Sequence, residues 1–184
     1  MSLHADAFAV LTRWQPPGDD QARLRSHYLS HLQSHPDGVW RECSPDHVTA
    51  SAVLVSEDRS QVLLTLHGKL RRWLQLGGHC EPVDQTLADA ALRESVEESG
   101  VDGLRLDPTP VLLSRHEVPC GPVRPAHHLD VQYVAEVPDG AVPVVSAESE
   151  QLRWFPVDDL PEDTDDSVRA LVRHALARVR QARR

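Results

Sequence analysis

Three glutamates and an arginine stand close together in the middle of the chain, at Arg93, Glu94, Glu97 and Glu98. At about 100° per residue, a helix would bring Glu94 and Glu98 within roughly 40° of each other on one face, with Glu97 beside them. Carboxylates this close repel one another unless a cation neutralises them. Such oxygen-rich clusters suit Mg²⁺ or Mn²⁺, hard ions that also hold substrate phosphates. The spacing therefore indicates a metal site, although an isolated Arg-Glu-x-x-Glu-Glu pattern is more often a solvated acidic face of a helix.

The residues before this cluster indicate how it is positioned. Residues 73–76 are typical of a short strand, and they run directly into Gly77 and Gly78. A helix is predicted from about residue 86 to residue 99, with Gly100 placed to cap its C-terminus. The acids therefore lie on a helix that follows a strand, a glycine turn and a short loop.

This arrangement resembles the Nudix box over residues 77–101. The box is written Gly-x5-Glu-x7-Arg-Glu-(apolar)-x-Glu-Glu-x-Gly-(apolar). Its opening glycine and its second half are matched by Gly78, Arg93, Glu94, Glu97, Glu98, Gly100 and Val101. The order of the predicted strands, and a Trp154-Phe155-Pro156 segment before a final helix, extend the resemblance over most of the chain from about His47.

The chain departs from the box at two places. Counting from Gly78, the position of the first glutamate holds Asp84, whereas counting back from Arg93 it holds Gln85, so the loop carries one extra residue. In the Nudix family this position mainly braces the loop and the helix, so the resemblance implies a change in local geometry more than in metal binding. Ser95 stands where an apolar residue is usual, which is a mild departure.

The resemblance implies a role for each matched residue. Glu94, Glu97 and Glu98 would bind the catalytic Mg²⁺ or Mn²⁺, and a backbone carbonyl of the glycine turn, assigned to Gly78, would add a ligand. Arg93 would orient a glutamate. The implied activity is that of a Nudix hydrolase, a metal-dependent pyrophosphohydrolase. It would cleave a nucleoside diphosphate linked to another moiety, by attack of a metal-activated water on phosphorus.

The family often uses a further acid outside the box as base or metal ligand. Glu148 and Glu150, in the loop before Leu152, are the candidates, and we assign the catalytic role to Glu148. Ordinary exposed loop acids would give the same pattern.

Substrate-binding residues are expected on either side of the box. Arg71 and Arg72 precede the strand that enters the glycine turn, where they would meet substrate phosphate unless they are solvated loop charges. His127 and His128 are adjacent on a predicted strand and point to opposite faces, so they cannot easily share one ion. His128 and Asp130 share a face, and we include His128 among the substrate-binding candidates.

Two other functions fit parts of the same pattern. An isopentenyl-diphosphate isomerase-like enzyme would share the fold, but it needs a catalytic cysteine and an array of metal-binding histidines. Cys43, Cys80 and the scattered histidines offer no convincing match. A catalytically inactive Nudix-fold module that binds a nucleotide for regulation is favoured slightly by the altered first acid. The intact Arg93-Glu94 and Glu97-Glu98 pairs argue against it.

Hydrophobic periodicity predicts the other elements. Leu24, Tyr28 and Leu32 recur every four positions and predict an amphipathic helix over residues 20–34, after a weaker helical segment around Phe8 and Leu11. Strands are predicted at residues 48–55, 61–66, 111–118, 127–137 and 152–155, and a last helix has an apolar stripe formed by Val168, Leu171, Val172, Ala175, Leu176 and Val179.

Strands mixed with helices at both ends and one in the middle predict an α/β fold with layers of helix on a sheet. The resemblance makes this a Nudix-like α/β/α sandwich with a mixed sheet. We expect an N-terminal helical extension over residues 1–45 and a Nudix hydrolase domain over residues 46–184.

The net charge of the chain limits the classes of molecule that it could bind. The formal net charge is −9, from 28 acidic and 19 basic residues, and such a surface repels the backbone of a long nucleic acid. A small nucleotide-type diphosphate is not excluded, because a metal held by carboxylates reverses the local sign.

No apolar run is long enough for a membrane span and the N-terminus has no signal-peptide pattern, so no membrane partner is expected. Cys43, Cys80 and Cys120 are odd in number and widely spaced, which favours a reducing cytoplasm. The N-terminal helices are a candidate surface for a homodimer.

The group attached to the diphosphate stays open at this stage. The Nudix box recognises only the diphosphate and the metal. The candidate substrates are therefore ADP-ribose, nucleoside triphosphates, dinucleotides, nucleotide sugars and coenzyme A. The proline-rich loop at residues 119–125 is a hypothesis for a lid over the substrate.

Overall fold

A computed structural model describes residues 1–68, 70–118, 123–144 and 149–181, without the side chains of residues 149 and 150. The candidate acid Glu148 and the first four residues of the predicted lid, 119–122, lie outside the described residues, as does Cys120. The side chain of the alternative acid Glu150 is likewise not described.

Two helices begin the described chain, one lies between two groups of strands, and one ends it. In chain order the elements are α1 (Leu3–Arg13), α2 (Asp19–Ser34), β1 (His47–Val55), β2 (Gln61–His67), β3 (Arg72–Leu74), β4 (Leu76–His79), α3 (Leu87–Ser99), β5 (Arg105–Val118), β6 (Ala126–Glu136), β7 (Ser149–Pro156) and α4 (Asp166–Gln181).

The strands form one mixed sheet in the order β3-β2-β1-β6-β5, with β4 paired to β1 and β7 paired to β2. Strands β1 and β6 pair in parallel along their length, from His47 beside His128 to Val55 beside Glu136. The other pairs are antiparallel. The predicted α/β fold with a mixed sheet is confirmed.

Two strands differ from their predicted form. Residues 73–76 do not make a single strand, because the chain changes partner at Gln75: Trp73 in β3 pairs with Leu66 of β2, whereas Leu76 in β4 pairs with Ala52 of β1. Strand β5 begins at Arg105, ahead of the predicted residue 111. Its register is broken between Asp107 and Leu112, around two prolines that lack the backbone N–H a regular ladder needs.

Each face of the sheet buries its own apolar core. One face carries Ala50 and Ala52 of β1 and the alternating residues of β6, and it packs against α1, α2 and α3; the β6 residues are Leu129, Val131, Tyr133 and Ala135. The other face carries Val53 and Val134 and packs against the apolar stripe of α4. The predicted alternation of β6 and the stripe of the last helix are confirmed.

The N-terminal helices share the core of the sheet. Leu11, Tyr28 and Leu32 are completely or almost completely buried. The Trp14 indole Nε1–H donates to the Pro110 carbonyl at 2.7 Å, and the Tyr28 hydroxyl donates to the Asp130 carbonyl at 3.3 Å. Residues 1–34 therefore form part of the helical layer on the α3 side. The division of the chain between residues 45 and 46 stays a prediction.

Among the described residues, no helix combines the length and apolarity that crossing a membrane requires.

Candidate active site at the glycine turn and helix α3

Both ends of α3 are held by defined caps. The Thr86 hydroxyl accepts from the Asp89 N–H at 3.0 Å while the Asp89 carboxylate accepts from the Thr86 N–H at 2.9 Å, which is a capping box. A carboxylate oxygen of Asp6 in α1 accepts from the N–H of Leu87, at 3.0 Å. Gly100 closes the helix in the left-handed conformation, at φ 64°. The helix that carries the acids is therefore fixed at both ends, and the predicted cap at Gly100 is confirmed.

The glycine turn lies directly against the acids of α3. A Cβ added to Gly78 would come within 2.8–2.9 Å of the Glu94 carboxylate atoms. A Cβ added to Gly77, where φ is +152°, would come within 2.3 Å of the Ser51 Cβ, and the Gly77 N–H donates to Glu98 Oε2 at 3.2 Å. Two carboxylates therefore lie close to the backbone of the glycine turn. A side chain at either glycine would prevent this close approach.

Arg93 links these acids to the loop before the helix. Its Nε and Nη2 donate to the two oxygens of the Asp84 carboxylate, both at 3.0 Å, and Nη2 also donates to the His79 carbonyl at 2.9 Å. Its Nη1 donates to Glu94 at 3.1 Å and to Glu97 at 2.9 Å. The Asp84 carboxylate and the glutamates raise the pKa of Arg93, so the guanidinium stays charged.

Asp84 occupies the place of the first acid of the box. Its side chain is only 2% exposed, and besides the pair with Arg93 it accepts from the Glu81 N–H at 2.7 Å. Gln85 is exposed. The count from Gly78 therefore gives the structural equivalent, and the extra residue lies between Asp84 and the helix. The shortened acid still braces the loop, because the loop brings it into contact with the guanidinium.

The composition of the site fits a divalent cation. Glu94 is 13% exposed and Glu97 is 58% exposed, so the cluster runs from the glycine turn out to solvent. Arg93 ion-pairs with these acids and is shared between Asp84, Glu94 and Glu97. The site keeps a negative balance and an all-oxygen donor set, which is what Mg²⁺ and Mn²⁺ prefer.

The other candidate residues lie on elements other than α3 and the glycine turn. Arg71 and Arg72 are exposed where β2 turns into β3. His128 and Asp130 share a face of β6, as expected. Asp130 is 3% exposed and accepts from the hydroxyls of Thr49 at 3.1 Å and of Ser51 at 2.7 Å.

Successive residues of strand β4 face opposite sides of the sheet. Gly78 pairs with Ala50, whose side chain lies in the core on the α3 side, whereas His79 pairs with Thr49, whose side chain lies on the other side with Asp130. The Glu94 carboxylate and the His79 ring are therefore on opposite faces of the sheet.

Sequence reasoning missed a cluster of histidines. In the sequence His47, His79 and His128 are scattered, but the structure brings them together, with ligand atoms within 4.8 Å of one another. Burial lowers the pKa of His79 to about 4 and that of His128 to about 3, and neighbouring histidines add to the effect. Only the alternation within each strand was visible in the sequence, and it does not reveal which strands are neighbours.

The described cysteines are not placed as nucleophiles. Burial raises the pKa of Cys80 to about 12 and that of Cys43 to about 11. Both are free and buried, so neither supplies the reactive thiol that an isomerase-like chemistry needs.

Comparison with known proteins agrees with this architecture. The chain has the fold of a C. elegans Ap4A hydrolase, with a TM-score of 0.61 at 18% identity over 73% of this chain and 98% of that one. It also resembles a NUDIX-family hydrolase from Clostridium perfringens, with a TM-score of 0.53 at 22% identity over 72% and 97%. The NUDIX domain of Shewanella oneidensis NrtR, solved with ADP ribose, gives a TM-score of 0.57 at 20% identity over 72% and 87%.

Comparison with curated proteins gives no match. A family model of the NUDIX domain matches residues 45–175, which is most of the chain and includes the whole glycine turn and α3. The chain therefore belongs to the Nudix hydrolase family.

Proposed function

We propose that this protein is a Mg²⁺- or Mn²⁺-dependent pyrophosphohydrolase that cleaves a nucleoside diphosphate linked to another moiety. The observation that carries the proposal is the approach of the Glu94 and Glu98 carboxylates to the backbone of Gly78 and Gly77. A solvated acidic helix face, the competing interpretation, has no reason to meet glycines at this distance. The family match supports the same activity.

The residues that would hold the ion are Glu94, Glu97, Glu98 and the backbone carbonyl of Gly78. When bound, a divalent ion supplies a water of lowered pKa and neutralises charge on the phosphates. The chain itself supplies position. Arg93 holds Glu94 and Glu97 in one orientation, and Asp84 holds Arg93.

A proton acceptor for the attacking water is assigned to Glu148, with Glu150 as the alternative. This part of the proposal rests on their position in the chain, ahead of Leu152 in β7. Strand β7 pairs with β2, and β2 leads to the exposed arginines Arg71 and Arg72. These arginines are proposed to contact the phosphates or the second half of the substrate.

A small nucleotide is the proposed substrate class. Ap4A and ADP ribose, named with two of the similar structures, both join nucleosides or sugars through phosphates. The net charge of −9 disfavours a long nucleic acid. Free buried cysteines are compatible with the proposed location in the cytoplasm.

A homodimer through the N-terminal helices is also a proposal. Light scattering that gives the mass of one chain would remove it.

The alternative function, a regulatory module that binds a nucleotide without cleaving it, is no longer favoured by the altered first acid of the box. The altered first acid, Asp84, still makes the two-pronged pair with Arg93. The bracing of the loop is therefore retained, and the metal-binding acids follow it unchanged.

Turnover and binding must be measured on the same panel. Wild-type protein is incubated with Mg²⁺ or Mn²⁺ and ADP-ribose, nucleoside triphosphates, dinucleoside polyphosphates, nucleotide sugars and coenzyme A. Products are separated by chromatography, and melting temperatures are recorded with each compound. We expect cleavage at a phosphoric anhydride of at least one compound, abolished by EDTA. A compound that raises the melting temperature while nothing is cleaved would establish the regulatory module instead.

A further inference from the structure

Three imidazole rings meet on the face of the sheet that turns away from α3. His47 begins β1, His79 ends β4 and His128 lies near the start of β6. The register explains the meeting, because His47 pairs with His128 and Thr49 pairs with His79. The ring centroids are 5.1 Å apart for His47 and His79, and 4.9 Å for each ring with His128. Three strands that are far apart in sequence thus each contribute one ring.

The hydrogen bonds leave nitrogen atoms turned toward this cluster. The Nδ1–H of His47 donates to the Cys43 carbonyl at 3.3 Å, which leaves the lone pair on Nε2 in the neutral ring. Among the described residues, nothing hydrogen-bonds the buried Nε2 of His47 or the buried Nε2 of His79. Buried polar atoms normally have a partner, so these two unpartnered nitrogens point to a site for a cation.

Another two histidines, outside this cluster, show which hydrogen bonds stacked rings make when they only pack against each other. His31 and His35 stack with centroids 4.6 Å apart. One ring nitrogen of each hydrogen-bonds a backbone carbonyl: His31 Nε2 that of Gly38 at 3.4 Å, and His35 Nδ1 that of His31 at 3.0 Å. Stacking alone therefore does not require the unpartnered buried nitrogens found in the other cluster.

We propose that His47, His79 and His128 bind a borderline transition-metal cation of the Zn²⁺ class, at a site separate from the acids of α3. Imidazole nitrogens select Zn²⁺, Co²⁺, Ni²⁺ or Cu²⁺ over Mg²⁺, whereas the acidic cluster has the opposite preference. Three histidines with a fourth position open to water or a small ligand is a known zinc geometry.

The spacing permits such a site after a small contraction. The candidate ligand atoms lie within 4.8 Å of one another. Nitrogens at about 2.0–2.1 Å from one zinc ion sit roughly 3.4 Å apart, so the widest separation would need to close by up to about 1.4 Å. The buried backbone of β1 need not move, because ring rotation supplies displacements of this size.

The surrounding charges do not oppose a cation strongly. Arg41 and Glu42 both act on the His79 ring, with opposite signs, and both are exposed to solvent. A metal here would also bear on the candidate active site, because the His79 carbonyl accepts from Arg93.

The test uses full-length protein without a histidine tag, and Co²⁺ as the probe. Titration is followed by visible absorption in the presence of excess Mg²⁺, which occupies oxygen-donor sites. We expect one equivalent of Co²⁺ to bind with the intense bands of a four- or five-coordinate centre. Glu98→Gln should keep this signal, whereas His79→Gln and His128→Gln should weaken binding at least tenfold. His35→Gln, from the packing pair, should leave it unchanged.

The proposal is overturned if the wild type shows no such centre, or if the two cluster variants bind Co²⁺ as the wild type does. It is also overturned if Glu98→Gln removes the signal, since the site would then be the acidic one. Nitrogen-15 spectra of the wild-type imidazoles on addition of Zn²⁺ give a readout that does not depend on variant folding. Three rings should shift as ligands, and an unchanged spectrum would contradict the site.

Discussion

Arg93 can orient the acids of α3 because the other side of its guanidinium is held by Asp84. The two-pronged contact sets the plane of the guanidinium, and the remaining nitrogen then meets Glu94 and Glu97. Aspartate is shorter than the glutamate that the box would place here. The loop compensates by turning the Glu81 N–H onto the same carboxylate, at 2.7 Å.

Removing the charge of Asp84 should therefore destabilise the fold. Asp84→Asn is expected to lower the free energy of unfolding by about 2–3 kcal/mol, below the ~3–5 kcal/mol of a fully buried pair because Arg93 is partly exposed. Chemical denaturation followed by circular dichroism measures the change. Glu81→Gln is the matched control: that carboxylate is 59% exposed and 4.0 Å from Arg93, so its loss should cost less than about 1 kcal/mol. Equal effects of the two variants would contradict the bracing role.

The buried cysteines give a prediction that separates hydrolysis from thiol chemistry. Because burial raises the pKa of Cys80 to about 12 and of Cys43 to about 11, both thiols stay protonated at pH 8. In a Cys120→Ser background, the folded protein should react slowly with a disulfide reagent, and two thiols should react at once after unfolding. A thiol that reacts rapidly in the folded state would reopen a nucleophilic role for cysteine.

The positions of the acids depend on two elements that meet closely, α3 and β4. Helix α3 was predictable from its own sequence, since the capping residues and Gly100 are local signals. The split between β3 and β4 was not predictable, because it is set by the strands they pair with, β2 and β1. The histidine cluster escaped prediction for the same reason: each ring was visible, but the pairing of β1 with β6 and β4 was not.

A methyl group introduced between β4 and α3 should impair catalysis without unfolding the protein. Gly78→Ala would place a methyl group 2.8 Å from the Glu94 carboxylate and push it aside. We expect a loss of activity on the order of tenfold to a hundredfold, since displacements near 1 Å at a catalytic group cost about that much.

The matched control is Gly18→Ala, where a methyl group meets nothing within 4 Å. It should leave activity unchanged. Gly78→Ala with wild-type turnover and an unchanged melting temperature would show that the contact has no catalytic importance.

At the scale of the whole molecule, the helices before the matched family region are built into the fold. The alternation of residues 127–137 predicted one apolar face of the sheet, and apolar stripes predicted α2 and α4. The packing of α1 and α2 on the α3 side could not be predicted from such patterns. It depends on contacts such as that of Tyr28 with Asp130, which are 102 residues apart. Asp6 even caps the helix that carries the acids.

Losing one contact of this layer should weaken the entire protein. Tyr28 is completely buried, and Tyr28→Ala is expected to cost about 3–5 kcal/mol of unfolding free energy. Tyr28→Phe removes only the hydroxyl bond to the Asp130 carbonyl and should cost about 1 kcal/mol. Thermal and chemical unfolding measure both. A small effect of Tyr28→Ala would mean that the N-terminal helices fold apart from the sheet.

The most direct test of the central claim is the steady-state rate of the wild type, Glu98→Gln and Glu162→Gln on the best substrate of the panel. Glu98→Gln keeps the shape of a side chain that contacts the glycine turn, whereas Glu162 is an exposed loop acid. Several kcal/mol of lost transition-state stabilisation corresponds to a rate at least about a hundredfold lower for Glu98→Gln. Glu162→Gln should match the wild type. If Glu98→Gln retains the wild-type rate at saturating Mg²⁺, the acids of α3 are not the catalytic site.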